Sequence, residues 1–226
     1  MAQMKNSRPA EYMGEIKVWD CIEKNLPKEV ICYYNREING QEFDFCLLIE
    51  DLGLVMIEVK GWNRSHIVSV KNPDEIILEG GKRSTSPKKQ ANRYRFNLVI
   101  KLEKSLHINP TVASMVCYPF LSEEDYDKSG LSVVSEKEYT LFREDIESNV
   151  DFAGKLCYAI SETDNTGKRD RLSGEVYHKC RRFFEPDYSI EPPVEPFSPY
   201  SKLYFFSDRI TMSEYTDIFR DYANGI

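Results

Sequence analysis

The chain has 226 residues, of which 41% are hydrophobic, and a formal net charge of −7. That length supports one well-packed domain plus an appendage. The acidic balance excludes a protein that coats nucleic acid through overall charge, though not one with a local basic site. Cys21, Cys32, Cys46, Cys117, Cys157 and Cys180 form no CxxC pair, so they read as free, mostly buried thiols rather than a disulfide or zinc framework. His66, His107 and His178 show no metal-ligand spacing. The leader MAQMKNSRPAEY lacks the apolar core of a signal peptide, and no run approaches membrane-spanning length. A cytoplasmic protein with no membrane partner is expected.

In chain order, Tyr12, Ile16, Trp19, Ile22 and Leu26 recur at three-to-four-residue steps and predict a helix over Glu11–Leu26, ended by Pro27. Glu15 lies at the edge of this stripe, where a solvated helix glutamate is the plain reading. Glu29–Tyr34 predicts a short strand with Val30, Cys32 and Tyr34 on one face. The Asn39-Gly40 turn then leads into QEFDFCLLIEDLGLVMIEVKG, residues 41–61.

This stretch holds two apolar runs, Phe43–Ile49 and Leu54–Val59, joined by Asp51-Leu52-Gly53, and predicts a β-hairpin. A three-residue loop with Gly53 left-handed pairs Glu50 with Leu54, Cys46 with Glu58 and Asp44 with Lys60. Asp44, Glu58 and Lys60 then share a face with Cys46, Leu48, Leu54 and Met56, because side chains alternate along a strand. Phe43, Phe45, Leu47, Ile49, Val55, Ile57 and Val59 take the other face. A two-residue loop would shift the register by one and send Asp44 to the opposite side. Apolar residues on both faces imply a sheet covered on both sides. Unpaired ionised carboxylates there would cost roughly several kcal/mol or protonate instead. A cation beside them is expected, either Lys60 alone or a hard metal ion.

HIVSV and EIILE, around a Lys71–Asp74 turn, read as an extra hairpin on the sheet's edge, and Gly80–Pro87 as a loop. Ser86 caps a helix with Pro87 at its first position, running to about Leu106. Thr111–Tyr118 is a further strand closed by Pro119, and Tyr139–Phe142 another. Helices are expected over Asn149–Ser161 and Arg171–Phe184. Residues 1–185 form the principal domain. Residues 186–200 are a proline-rich linker. Residues 201–226 form a strand-helix appendage that docks back or leads to a further domain. The order helix, three strands with a hairpin insert, helix, strand makes an α/β domain.

Asp44, thirteen residues, then Glu58-Val59-Lys60 is the D-(x)n-ExK pattern of the PD-(D/E)XK nuclease superfamily. The α-β-β-β-α-β order matches that superfamily's core, and Gln90-Ala-Asn-Arg-Tyr94 resembles the QxxxY motif of its RecB-like branch. With Gly14-Glu15, Glu42-Phe-Asp44, Ile57–Gly61 and Ser86-Pro-x-x-Gln90-Ala91, the stretch Glu11–Tyr118 resembles the nuclease-related domain, NERD.

The resemblance implies a restriction-endonuclease-like fold, a central mixed sheet flanked by helices, with extra helices and a C-terminal appendage. It further implies Mg²⁺-dependent hydrolysis of DNA, with Mn²⁺ able to substitute. Asp44, Glu58 and the Val59 carbonyl would hold the metal, a set of oxygen ligands that suits Mg²⁺. Lys60 would orient or help deprotonate water and stabilise the transition state. Glu15 would act as an outer ligand or at a second-metal site, Gln90 would orient water or ligand, and Tyr94 would contact the substrate backbone. Domains of this type are commonly joined to a helicase or other ATPase, in DNA processing or anti-phage defence. The plainer reading of the central residues is an Asp44–Lys60 cross-strand ion pair with Glu58 solvated.

Lys82, Arg83, Lys88, Lys89, Arg93, Arg95, Lys101 and Lys104 crowd the second helix and the loop before it. Lys88 and Lys89 occupy its first turn, where the dipole disfavours cations unless an anion such as a DNA phosphate binds there. The bland reading is a solubilising face. A binding module for nucleic acid or a partner, catalytically silent on the same fold, is the alternative to an enzyme.

Overall fold

Two antiparallel strands of mostly buried residues form the centre of the molecule, as the apolar runs on either side of Asp51 require. The computed structural model describes residues 1–6, 8–9, 11–148, 151–163 and 169–185. The described residues all fall within one compact unit, Met1–Asp187. The proline-rich segment 186–200, the strand and helix expected within 201–226, and the expected helix start at Asn149 lie outside the described residues.

In chain order the elements are β1 (Gln3–Lys5), α1 (Met13–Asn25), β2 (Val30–Ile38), β3 (Gln41–Ile49) and β4 (Gly53–Val59). There follow β5 (Ile67–Asn72), β6 (Glu75–Leu78), β7 (Arg83–Thr85), α2 (Pro87–Leu106) and β8 (Val112–Cys117). Then come α3 (Glu123–Ser129), β9 (Thr140–Leu141), α4 (Arg143–Ser148), α5 (Phe152–Thr163) and α6 (Gly174–Phe184).

The main sheet has the order β1-β2-β3-β4-β8-β9. β2–β3–β4 is antiparallel, while β8 runs parallel to both β4 and β9. α1 and α5 cover one face, with Val18, Trp19, Ile22, Leu156 and Ile160 packed on Phe45, Leu47, Val55 and Ile57. α2 and α6 cover the other, with Leu98, Leu102, Tyr177 and Phe184 packed on Cys46, Leu48, Leu54 and Met56. The expected α-β-β-β-α-β core, a mixed sheet with helices on both faces, is the one observed.

The hairpin register differs from expectation by two residues. Ile49 faces Gly53, Leu48 faces Leu54, and Cys46 faces Met56 rather than Glu58. The left-handed residue of the loop is Asp51, at φ 64, not Gly53; aspartate is among the few residues with a side chain that tolerate this conformation. Gly53 is needed for another reason, since a Cβ there would lie 2.8 Å from the carbonyl oxygen of Thr111, to which Leu54 N–H donates at 2.9 Å. A slip of two leaves the parity intact over the paired residues Phe45–Ile49 and Gly53–Ile57, and Asp44, just beyond the last pair, meets β4 through the Val59 N–H. Phe43 does move: it packs with Cys46 and Leu48 and meets Phe184 edge-on at 6.4 Å. The alternation breaks opposite Asn35, which sits in β2 at φ 47.

The extra hairpin is not on the main sheet's edge, because β1 and β9 hold both edges. β5 and β6 instead pair with β7, formed inside the expected loop, as a separate three-stranded sheet. Its Ile67 and Ile76 pack on Tyr118, Leu121, Tyr126 and Phe142. α3 was absent from the periodicity, yet it carries a Ser122/Asp125 capping box and a left-handed Gly130 after its last turn.

Candidate active site

β3 and β4 part company beyond the Phe45–Ile57 pair, and the carboxylate of Asp44 enters the opening. Its Oδ2 accepts the Val59 backbone N–H at 2.7 Å, taking the place of a ladder carbonyl. β4 stays fixed on its other side by β8, with Glu58 opposite Val116 and Lys60 N–H on the Cys117 carbonyl at 2.9 Å. Glu58 is therefore presented from a rigid central strand, its side chain only 4% exposed. Lys60 Nζ donates to Glu58 Oε1 at 2.6 Å. The ion pair is thus Glu58–Lys60, not Asp44–Lys60, and Glu58 is buried rather than solvated. Glu58 Oε2 is buried with no hydrogen-bond partner among the described residues.

Burial pushes the Asp44 carboxyl up to about 7, and the neighbouring Glu58 charge adds to the rise against the Val59 N–H. Burial also raises Glu58, opposed by Lys60. Two carboxyl groups that resist ionisation beside one lysine form a site short of positive charge.

α1 reaches the site because Gly14 has no side chain. A Cβ there would sit 3.2 Å from both the Gly61 Cα and the Pro119 Cγ, so the helix start lies directly on the chain leaving β4. The next residue, Glu15, accepts a hydrogen bond from the Tyr34 hydroxyl at 2.5 Å through Oε2, and its charge helps raise both Asp44 and Glu58. It is a held site carboxylate rather than a solvated one. Among the described residues no group of three or more His, Cys, Asp or Glu is placed to hold a metal ion. Two carboxylates feel the Lys60 charge, Glu58 by a direct hydrogen bond and Asp44 through space.

α2 approaches from the other face. Ser86 Oγ caps it by accepting from Lys89 N–H at 3.3 Å, and Asn97 Nδ2 donates to Gln41 Oε1 at 3.0 Å to tie it to β3. Gln90 Oε1 is buried and without a hydrogen-bond partner among the described residues. One turn on, burial and the Glu58 charge raise the Tyr94 hydroxyl. Arg93 lies 5.7 Å from the Tyr94 ring centre, and its charge reaches Glu58. The first-turn lysines have acidic partners already: Lys88 pairs with Glu136 and Lys89 with Asp74, the latter at 2.8 Å. Arg95 Nε donates to the Val112 carbonyl at 2.5 Å and Arg83 pairs with Glu75, so part of the basic cluster is spent within the fold.

Sequence reasoning missed Tyr34, Asp74 and Glu136. Tyr34 was placed on the correct strand face, but nothing in the spacing points its hydroxyl at Glu15.

Residues 10–119 match the family of the nuclease-related domain, close to the span Glu11–Tyr118 that carried the resemblance. The chain is also similar to the crystal structure of a repair endonuclease from Pyrococcus abyssi. The identity is 18% and the TM-score 0.31, over 61% of this chain and 47% of that one. The curated proteins provide no match. Among the described residues no helix is long and apolar enough to cross a membrane.

Proposed function

We propose, for a chain whose residues 10–119 carry a nuclease-related domain, a divalent-metal-dependent phosphodiesterase acting on DNA. The observation that supports it best is the partnerless Glu58 Oε2, buried beside a second carboxyl group that burial holds near 7. A buried acceptor left unpaired costs about 1–3 kcal/mol, more when charged, and a small cation binding oxygen ligands would relieve that cost. Two carboxylates and a carbonyl fit Mg²⁺, which keeps several waters of its own, and Mn²⁺ would substitute.

Asp44 and Glu58 would hold the ion with the Val59 carbonyl. When bound, the ion supplies Lewis-acid stabilisation of the phosphate's developing charge. Asp44 is fixed for this by the Val59 N–H, and Glu58 by Lys60. Lys60, 20% exposed at its side chain, keeps its ammonium at the boundary between Glu58 and solvent. From there it would orient the attacking water and face the negative transition state. Gln90 would turn its free carbonyl oxygen toward that water, while Glu15 would act from an outer position set by Tyr34. Tyr94, Arg93, Lys88 and Lys89 would meet the substrate backbone, the two lysines by exchanging their present acidic partners for phosphate. A helicase or ATPase partner, in DNA processing or anti-phage defence, would suit the proline-rich residues 186–200.

Incubating the chain with circular and linear DNA plus Mg²⁺ or Mn²⁺ tests this. Glu58→Gln and Lys60→Ala are expected to slow cleavage by about 10²–10⁴-fold without unfolding the domain. Cleavage that persists in both removes the assignment.

A further inference from the structure

Beside the carboxylates lies a cavity of about 290 Å³ that none of the motif residues explains by itself. Glu15 and Val59, which flank Asp44 and Glu58 in the proposed reaction site, line it, and Tyr12, Met13, Gly61 and Phe120 complete most of its wall. Its volume corresponds to about ten waters, enough for one planar heterocycle.

The chemistry of the wall selects among ligands. Glu11 and Glu15 both line the cavity, and two carboxylates repel a phosphate while tolerating a neutral ring. Tyr12 and Met13 are 63% and 61% exposed, a large apolar expenditure on the first turn of α1 that the core does not use. Phe120 is held in place: Lys17 Nζ lies 5.1 Å from its ring centre and is itself fixed by Glu147 at 2.7 Å. Gly61 lies against the same ring, a Cβ there falling 3.7 Å from Phe120 Cε2. An aromatic and thioether wall, an acidic rim and a fixed ring suit a flat, uncharged, amine-bearing ligand.

We infer that this cavity receives an unstacked nucleobase of the strand whose phosphate lies at Asp44 and Glu58. The inference rests on the nuclease reading for its substrate class. Tyr12 and Phe120 are then specificity residues: they hold the base next to the scissile position and favour single-stranded or frayed DNA, whose bases are free to leave the stack.

The test uses a single-stranded DNA oligonucleotide containing 2-aminopurine, titrated with the full chain in Ca²⁺, an oxygen-binding ion that takes the carboxylate site in place of Mg²⁺, with a gel reporting that the strand stays uncut. The base's fluorescence is expected to fall on binding to the wild type and to Tyr12→Phe. Tyr12→Ala and Phe120→Ala are expected to weaken binding about 5- to 150-fold and to abolish the quench, with circular dichroism reporting that each variant is folded. No quench with the wild type, or the same quench and affinity in both alanine variants, overturns the inference. A chain that quenches in this pattern but never cuts DNA keeps the pocket and loses the hydrolase. One that cuts DNA with the quench unaltered by either alanine loses the pocket alone.

Discussion

Among the described residues, two lysine–carboxylate pairs have a buried carboxylate and a mostly covered lysine, and their contrast separates scaffold from candidate site. Lys155–Asp145 spans 2.7 Å with side chains 18% and 8% exposed; Lys60–Glu58 spans 2.6 Å with 20% and 4%. By length and burial they are the same interaction. Yet Asp145 Oδ2 also accepts the Phe142 N–H at 2.7 Å, and the Lys155 ammonium rests on the Phe142 ring at 4.8 Å. Glu58 instead keeps one oxygen unpartnered, with the raised Asp44 carboxyl beside it. A satisfied pair fastens α5 to α4, whereas an unsatisfied one, doubled by a second carboxyl group, is where the proposed cation would bind.

The largest effect expected from breaking this comparison is on catalysis. Glu58→Gln should cost about 10²–10⁴-fold in DNA cleavage while its melting temperature stays level or rises, because a strained charge is removed. Gel assays and thermal melts on the same preparation check both halves. The mirror experiment is Lys155→Ala, which strands Asp145 without its cation and should destabilise the fold by about 3–5 kcal/mol. Cleavage per folded molecule should be unchanged; a denaturant titration and an active-site-normalised rate decide it.

Asp44 sharpens the comparison through pH. Its carboxyl is held near 7 in the fold against about 3.9 in the unfolded chain. Between those values the folded state binds more protons, so stability without metal falls as pH rises from about 4 to about 7. Asp44→Asn should flatten that fall and raise the melting temperature at pH 8, and divalent ions should do the same for the wild type only. Smallest are the α2 lysines: Lys88→Ala and Lys89→Ala should each weaken DNA affinity a few-fold and lower the salt slope by about 1. No change in slope would mean that the pairs with Glu136 and Asp74 are never released.

Much of this architecture was legible because the alternation over 43–59 and the capped helix at Ser86 are local signals. The register was not, since it turned on whether Asp51 or Gly53 takes the left-handed position, and Gly53 is required by Thr111, far away in sequence. The parity survived as far as the Phe45–Ile57 pair, whereas Phe43 lies on the opposite face from the one expected, and Asp44 reaches β4 through the Val59 N–H. The Tyr34–Glu15 bond and the acidic partners of Lys88 and Lys89 come from elements that meet only in three dimensions. The separate β5–β6–β7 sheet was hidden for a related reason: β1 and β9, three and two residues long, take the main sheet's edges with almost no sequence signal.

Calorimetric titration of the chain with Mg²⁺ and with Mn²⁺, at pH 6 and pH 8, reaches the central claim most directly. Binding at pH 8 that weakens at pH 6, is accompanied by more proton release at pH 6 than at pH 8, and vanishes in both Asp44→Asn and Glu58→Gln is the predicted result. Binding that is absent in the wild type, or survives in both variants, would contradict it.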